Sequence, residues 1–250
     1  MRALGKRIAL TVTLCALAGS ALAQTAQTGP GGPYGMPLDD NRVYVHILLE
    51  QFEYRTGKAA GDLSWGGQAW IGTDANRLWL KTEGVREKDG TIEGGQHELL
   101  YSRPISIYFD LQAGLRFDVD SKPGRNWAAF GIQGLAPYFF EVSATTYVSD
   151  RGNFAVNFEG SFDLLLTQRL IVQPQLELDL YSKGDPARRI GSGLAEIGTG
   201  LRLRYEISRK FAPYIGLSYQ RNFGQTRRYA SADGEDNGHP LLVIGVRSWF

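Results

Sequence analysis

Three histidines, His46, His97 and His239, are the only imidazoles in the 250-residue chain, so hydrolytic chemistry would have to be built on one of them. None has the neighbours it would need. His97 precedes Glu98, but adjacent residues of a strand point to opposite faces, so the two cannot pair. His239 lies in a polar stretch with the composition of a loop. Two carboxylate pairs, Glu159/Asp163 and Glu177/Asp179, have the residue types of acid–base catalysis. Arg116, Arg202 and Arg204 fall on polar faces of the same kind, so salt-bridged ladders inside a narrow lumen are the better reading. No enzyme is expected. The one cysteine, Cys15, sits in an apolar leader, so the mature chain is expected to lack disulfides, thiolate metal sites and a cysteine nucleophile.

The elements that would position these groups are clearest from Asn153 to Tyr181. Phe154, Val156, Phe158, Phe162 and Leu164 share one face of a period-two pattern, and Asn157, Glu159, Ser161 and Asp163 share the other. A tight turn follows, and then Leu170, Val172, Leu176, Leu178 and Leu180 alternate with Gln173, Gln175, Glu177 and Asp179. Each run is about ten residues long, more than a soluble sandwich strand usually needs and enough for a tilted bilayer crossing. This hairpin is read as one unit of a transmembrane barrel, with lipid outside and a polar lumen within.

The chain start agrees with that compartment. Arg2, Lys6 and Arg7 precede an apolar run from Ile8 to Ala18, and Ala21-Leu22-Ala23 supplies the small residues of a signal-peptidase site. Three segments are expected: a signal peptide over 1–23, a disordered periplasmic segment over 24–41 and a barrel over 42–250. Hydrophobic residues make up 43% of the chain and mean hydropathy is −0.24, and no later segment approaches a helical span. A net charge of only +1 gives no electrostatic reason to expect nucleic acid as a partner. The ~225 residues left after cleavage suit a single barrel.

Reading onward from Val43 yields about twelve strands. The third sets Arg77, Trp79, Lys81 and Glu83 against Leu78 and Leu80; the fifth sets Phe109, Leu111, Ala113, Leu115 and Phe117 against Asp110, Gln112, Arg116 and Asp118. In the tenth, Leu201, Leu203 and Tyr205 alternate with Arg202 and Arg204. Two strands are irregular: the first, where Leu48 and Leu49 are adjacent, and the fourth, Ile92 to Arg103, whose facing is unresolved. The stretch from Gly224 to His239 reads as a long charged loop. An even strand number and alternating short and long connections place both termini on the periplasmic side. The expectation is an all-β, antiparallel, up-and-down barrel in the cell outer membrane, in contact with its lipid bilayer. The terminal Phe250 resembles the signal read by the outer-membrane assembly machinery.

Several ordered runs resemble the copper resistance protein B family. They include Asn76-Arg77-Leu78-Trp79-Leu80-Lys81-Thr82-Glu83-Gly84, Leu100-Tyr101-Ser102-Arg103-Pro104-Ile105 and Gly131-Ile132-Gln133-Gly134-Leu135-Ala136-Pro137-Tyr138. Asp163 to Leu170 and Gly200-Leu201-Arg202-Leu203-Arg204-Tyr205-Glu206-Ile207 continue the match, which covers nearly everything after Asp40. The resemblance implies an outer-membrane protein of copper homeostasis and resistance that works with a periplasmic multicopper oxidase. A general small-solute or cation pore is the alternative.

Family members carry a long methionine- and histidine-rich segment before the barrel, and here that segment is short and holds only Met36. Thioether and imidazole donors suit copper(I), so Met36 and His46 are the expected metal ligands, forming a weak or transient copper site at the periplasmic mouth. Asp39 and Asp40 would add attraction for a cation. Glu53, Glu159, Asp163 and Glu177 are expected to guide the ion along the lumen.

Overall fold

The computed structural model describes residues 42–56, 61–232, 234 and 238–250. The expected signal peptide and disordered segment, with Met36, lie outside the described residues. Twelve spanning strands follow: β1 (Tyr44–Arg55), β2 (Asp62–Gly72), β3 (Arg77–Arg86), β4 (Ile92–Pro104), β5 (Phe109–Asp118), β6 (Arg125–Ala136), β7 (Phe140–Ser149), β8 (Phe154–Phe162), β9 (Leu170–Tyr181), β10 (Gly193–Tyr205), β11 (Phe211–Asn222) and β12 (Pro240–Trp249). A two-residue continuation of β8, Leu164–Leu165, pairs with the start of β9 beyond a break at Asp163. Every strand is antiparallel to the next, and β12 returns to β1 with Leu48 opposite Trp249 and Arg55 opposite Val243. The sheet is therefore a closed barrel.

Closure gives each strand one outer and one inner face. Leu78 and Leu80 on β3, Leu115 and Phe117 on β5, Phe130 and Ile132 on β6, Phe154 and Val156 on β8, and Leu201 and Leu203 on β10 are all exposed outward. Their neighbours Trp79, Arg116, Trp127, Asn157, Arg202 and Arg204 are buried inside. An inner aromatic cluster of Trp79, Leu100, Trp127 and Tyr147 fills part of the bore on the β3–β7 side.

The two strands with irregular alternation contain bulges. On β1, Leu49 pairs with Gly67 but Gln51 pairs with Gly66, so Glu50 is an extra residue, and the same slip appears against β12. Leu48 and Leu49 thus take opposite faces, and Glu50 joins Gln51 on the lumen. On β4 the slip lies between Glu93 and Gln96, where Gly94 has φ +57°, a left-handed conformation that glycine adopts without a Cβ penalty. Beyond that bulge Gln96, Glu98, Leu100 and Ser102 face inward. The expected loop from Gly224 to His239 is corrected in part: Gly224–Ala232 forms a helix, α1. Its glutamine, arginine and alanine residues are good helix formers, and Ala230 is buried beneath it.

The assigned facing is open to direct test. Leu176 on β9 is exposed on the outer wall, so Leu176→Arg should cost about 2–4 kcal/mol, as for a charge on the lipid face near mid-membrane. Glu177→Gln, one residue on but inward, should be neutral or stabilising. Urea unfolding of the barrel in lipid vesicles reads both, and equal losses would reverse the facing.

Candidate functional site

The lumen is one continuous cavity of about 1710 Å³ running between the two mouths. Its charge is distributed unevenly. Glu159 on β8 lies directly opposite Glu177 on β9, and Asp179 on β9 lies opposite Glu196 on β10. Glu83, on β3, lines the same lumen, within electrostatic reach of Arg116 as well as of Glu159 and Asp179. Asn157 is a neutral group set among them, its Nδ2 donating to Glu177 Oε1 at 3.3 Å and to Asp179 Oδ1 at 3.2 Å. Among the described residues no lysine or arginine forms an ion pair with any of these five acids. Like charges directly opposite one another on a sheet are destabilising, so this wall is costly to the fold.

Elsewhere several lumen charges are paired. Glu53 is 1% exposed and receives Arg202 at 3.1 and 3.2 Å, Arg55 at 3.0 Å and the Tyr214 hydroxyl at 3.0 Å. Four donors occupy the four lone-pair positions of that carboxylate. Asp163 pairs with Arg204 at 2.6 Å, and Arg116 and Arg125 both bind Asp118 at 2.8 Å. Of the ladders expected between Arg116, Arg202, Arg204 and the pairs Glu159/Asp163 and Glu177/Asp179, only Arg204–Asp163 forms; Arg116 and Arg202 pair instead with Asp118 and Glu53. Of the four acids expected to guide a cation, Glu159 and Glu177 therefore stand together on the unpaired wall, while Glu53 and Asp163 sit in ion pairs. Glu83, Asp179 and Glu196 were missing from that set, although the alternation of β3, β9 and β10 marks them as inward-facing.

Two polar bridges narrow the bore. Gln51 Nε2 on β1 donates to Gln175 Oε1 on β9 at 3.0 Å, and Arg202 donates to the same oxygen. Lys81 on β3 donates to Gln112 on β5 at 3.1 Å and to Gln133 on β6 at 2.6 Å. Below them, toward the end carrying the chain termini, His46 faces inward opposite Trp70. Its ring centroid lies 6.0 Å from Trp70 and 5.8 Å from Trp249. His97 instead faces the outer wall, where its Nδ1 is 3.0 Å from Thr82 Oγ1. Among the described residues no three histidine, cysteine, aspartate or glutamate side chains converge to hold a metal ion.

The opposite mouth is covered by loops. The β9–β10 connection turns inward through a short 3-10 segment, Pro186–Arg188, whose Arg188 is 6% exposed. Its guanidinium pairs with Asp120 of the β5–β6 loop and donates to the Pro123 carbonyl. Gly191 N donates to Thr226 Oγ1 of α1 at 2.9 Å, and Arg189 lies over the Tyr229 ring at 5.6 Å. Ala187, Arg188, Thr226 and Ala230 consequently line the outer end of the cavity. Removing one partner of a buried ion pair costs about 3–5 kcal/mol, and here the strand ladders do not depend on it. Arg188→Ala should free the loop and raise single-channel conductance in planar bilayers, with heat-modifiable folding retained. Unchanged conductance would show that the loop does not limit the path.

Comparison with known proteins matches this arrangement to one family. Residues 43–250 match the family described as Copper resistance protein B precursor (CopB). The chain is 41% identical over 220 residues to Copper resistance protein B of Escherichia coli, covering 88% of this chain and 74% of the relative. It is 40% identical over 216 residues to a Copper resistance protein B homolog of Pseudomonas syringae pv. tomato, covering 86% and 73%. Among solved structures, the NanC porin superposes with a TM-score of 0.52 at 13% identity, over 82% of this chain and 99% of that one, a likeness of fold alone. With its lipid-facing outer wall and charged bore, the chain belongs to the copper resistance protein B family and is an outer-membrane β-barrel.

Proposed function

We propose that this barrel conducts copper ions across the outer membrane, with the unpaired acidic wall of the lumen as the conducting surface. The observation that carries the reading is the set of five carboxylates, Glu83, Glu159, Glu177, Asp179 and Glu196, that line the lumen without a direct ion pair, with Glu159 opposite Glu177 and Asp179 opposite Glu196 on neighbouring strands. A cleft lined by one sign of charge between low-dielectric walls concentrates counter-ions. Carboxylate oxygens are hard donors, so they attract a cation without retaining copper(I), which prefers sulfur and imidazole. Retention then belongs to the periplasmic mouth, where His46 and Met36 would form a weak copper site and pass the ion to a periplasmic multicopper oxidase. The protein acts by carriage, with no catalytic step assigned to it.

A second reading, a cation pore with no preference for copper, is favoured by one observation: no metal-ligand cluster exists among the described residues. Purified barrel in vesicles separates the two. Glu159→Gln/Glu177→Gln should shift the reversal potential several-fold toward anions and slow copper flux, whereas Asp74→Asn on the turn outside the lumen should change neither. Met36→Ala/His46→Ala should reduce copper binding while leaving the reversal potential alone. Equal fluxes of copper and magnesium in the wild type, with no copper retained, would favour the unselective pore.

A further inference from the structure

At mid-height the lipid-facing wall carries polar groups that hydrocarbon cannot satisfy. Trp65 on β2, opposite the exposed Phe52, and Thr82 and His97 on β3 and β4, next to the exposed Leu80 and Leu99, all point outward. Thr82 lies between His97 and Gly67 in one cross-strand row. It is the sixth of ten residues on β3, and His97 is the sixth of thirteen on β4. Arg86 and Arg103, charged residues of the same wall, stand instead at or next to strand ends.

The three side chains form a hydrogen-bonded chain that is left incomplete. Trp65 Nε1 donates to Thr82 Oγ1 at 3.3 Å, and that oxygen lies 3.0 Å from His97 Nδ1. The Trp65 ring is held across Gly84, where a Cβ would meet it at 2.5 Å. Among the described residues His97 Nε2 has no partner. A hydroxyl offers one hydrogen and two lone pairs, and a neutral imidazole offers one donor and one acceptor. If Thr82 donates to Nδ1, the chain ends in a free Nε2–H and a free lone pair on Oγ1. If Nδ1–H donates to Thr82, it ends in a free lone pair on Nε2 and a free hydroxyl hydrogen. Either tautomer leaves one donor and one acceptor unmet. Acyl chains supply neither, and an unmet polar group in hydrocarbon is costly.

We propose that this patch is the contact surface of a two-fold symmetric homodimer within the membrane, in which His97 of each copy is hydrogen-bonded to Thr82 of the partner subunit. Self-complementarity identifies the occupant. A two-fold axis brings the same patch of a second copy face to face, so the free donor of each copy meets the free acceptor of the other and both are satisfied at once. Gly67, next to Thr82 in the row, has no side chain to hold the second wall away, as small residues allow close approach between membrane helices. Leu80 and Leu99 then pack around the bonded centre.

Crosslinking and association in lipid test this. In the full chain with Cys15→Ser, Leu99→Cys beside the patch and Leu203→Cys on β10 would be compared in vesicles of phosphatidylethanolamine and phosphatidylglycerol at a high lipid-to-protein ratio. A bismaleimide should join copies through position 99 several-fold faster than through position 203. Energy transfer between copies labelled at Ala75→Cys reads the dimer equilibrium, which should weaken about tenfold in His97→Leu or Thr82→Val, the loss expected for a pair of modest hydrogen bonds. The double variant should match the single ones, because either change removes both bonds between the copies, and Thr82→Ser should associate like the wild type. Heat-modifiable folding checks that each barrel is intact. A monomeric wild type, equal crosslinking at 99 and 203, or unchanged association in His97→Leu would overturn the proposal. So would association that appears only when lipopolysaccharide or native membrane is added, which would assign the patch to another molecule.

Discussion

A hydrocarbon environment supplies no hydrogen bonds, so every backbone N–H and C=O of a spanning segment must be paired within the protein. A β-sheet can meet that demand only by closing on itself. Here the closing seam joins β12 to β1, and it extends to the last residue: Phe250 N–H donates to the Ile47 carbonyl at 2.8 Å, and Ile47 N–H donates back at 3.0 Å. Closure fixes which residues meet lipid and which meet the lumen. It also decides where an irregularity can be tolerated. The extra residue on β1, Glu50, lines the aqueous cavity, and the slip on β4 is taken up at Gly94, next to the loop. A polar bulge residue aimed at lipid would be left unsatisfied, so the bore absorbs what the outer wall cannot.

The same division governs electrostatics. The bore can hold charge provided it is paired or wet, and part of this bore is paired: Glu53 with Arg202 and Arg55, Asp118 with Arg116 and Arg125, Asp163 with Arg204. Two of them, Glu53–Arg202 and Asp163–Arg204, join segments that are not neighbouring strands, so they brace the barrel across its interior as well as neutralising it. Among the acids without an ion pair, Glu159/Glu177 and Asp179/Glu196 stand apart because like charges lie directly opposite on neighbouring strands. Replacing one carboxylate of each by glutamine would remove a repulsion at little cost in volume. Departures of this kind from local consistency are expected where function is located.

Much of this was legible in the sequence because alternation has a period of two and closure leaves it undisturbed over long runs. The facing of β3, β5, β8, β9 and β10, the inward placement of Arg202 and Arg204, and the family itself could all be read from residue order. What escaped had physical causes. The facing of β4 was obscured by a bulge that shifts parity midway. Helix α1 has little apolar periodicity, because it packs through Thr226, Tyr229 and Ala230, so nothing in the sequence marks it strongly as amphipathic. The state of Glu53 was hidden for a different reason. Its partners Arg202 and Tyr214 are 149 and 161 residues away, and only the register of the closed sheet brings them together.

On the proposed reading, copper selectivity and cation conduction would reside in different parts of the molecule, and the chemistry of the donors explains why. A bore lined with carboxylates lowers the free energy of any cation by a similar amount, and ligands with equal affinity for competing ions cannot discriminate between them. Discrimination needs soft donors, and a soft site strong enough to discriminate also slows release. Placing such a site in the bore would block it. At a mouth the same retention delays only the final transfer, and a partner with better ligands can collect the ion directly. His46, inside the rim between Trp70 and Trp249, is the one imidazole among the described residues that faces this mouth, so even a weak site there is separated by the Gln51–Gln175 bridge from the acidic wall that feeds it.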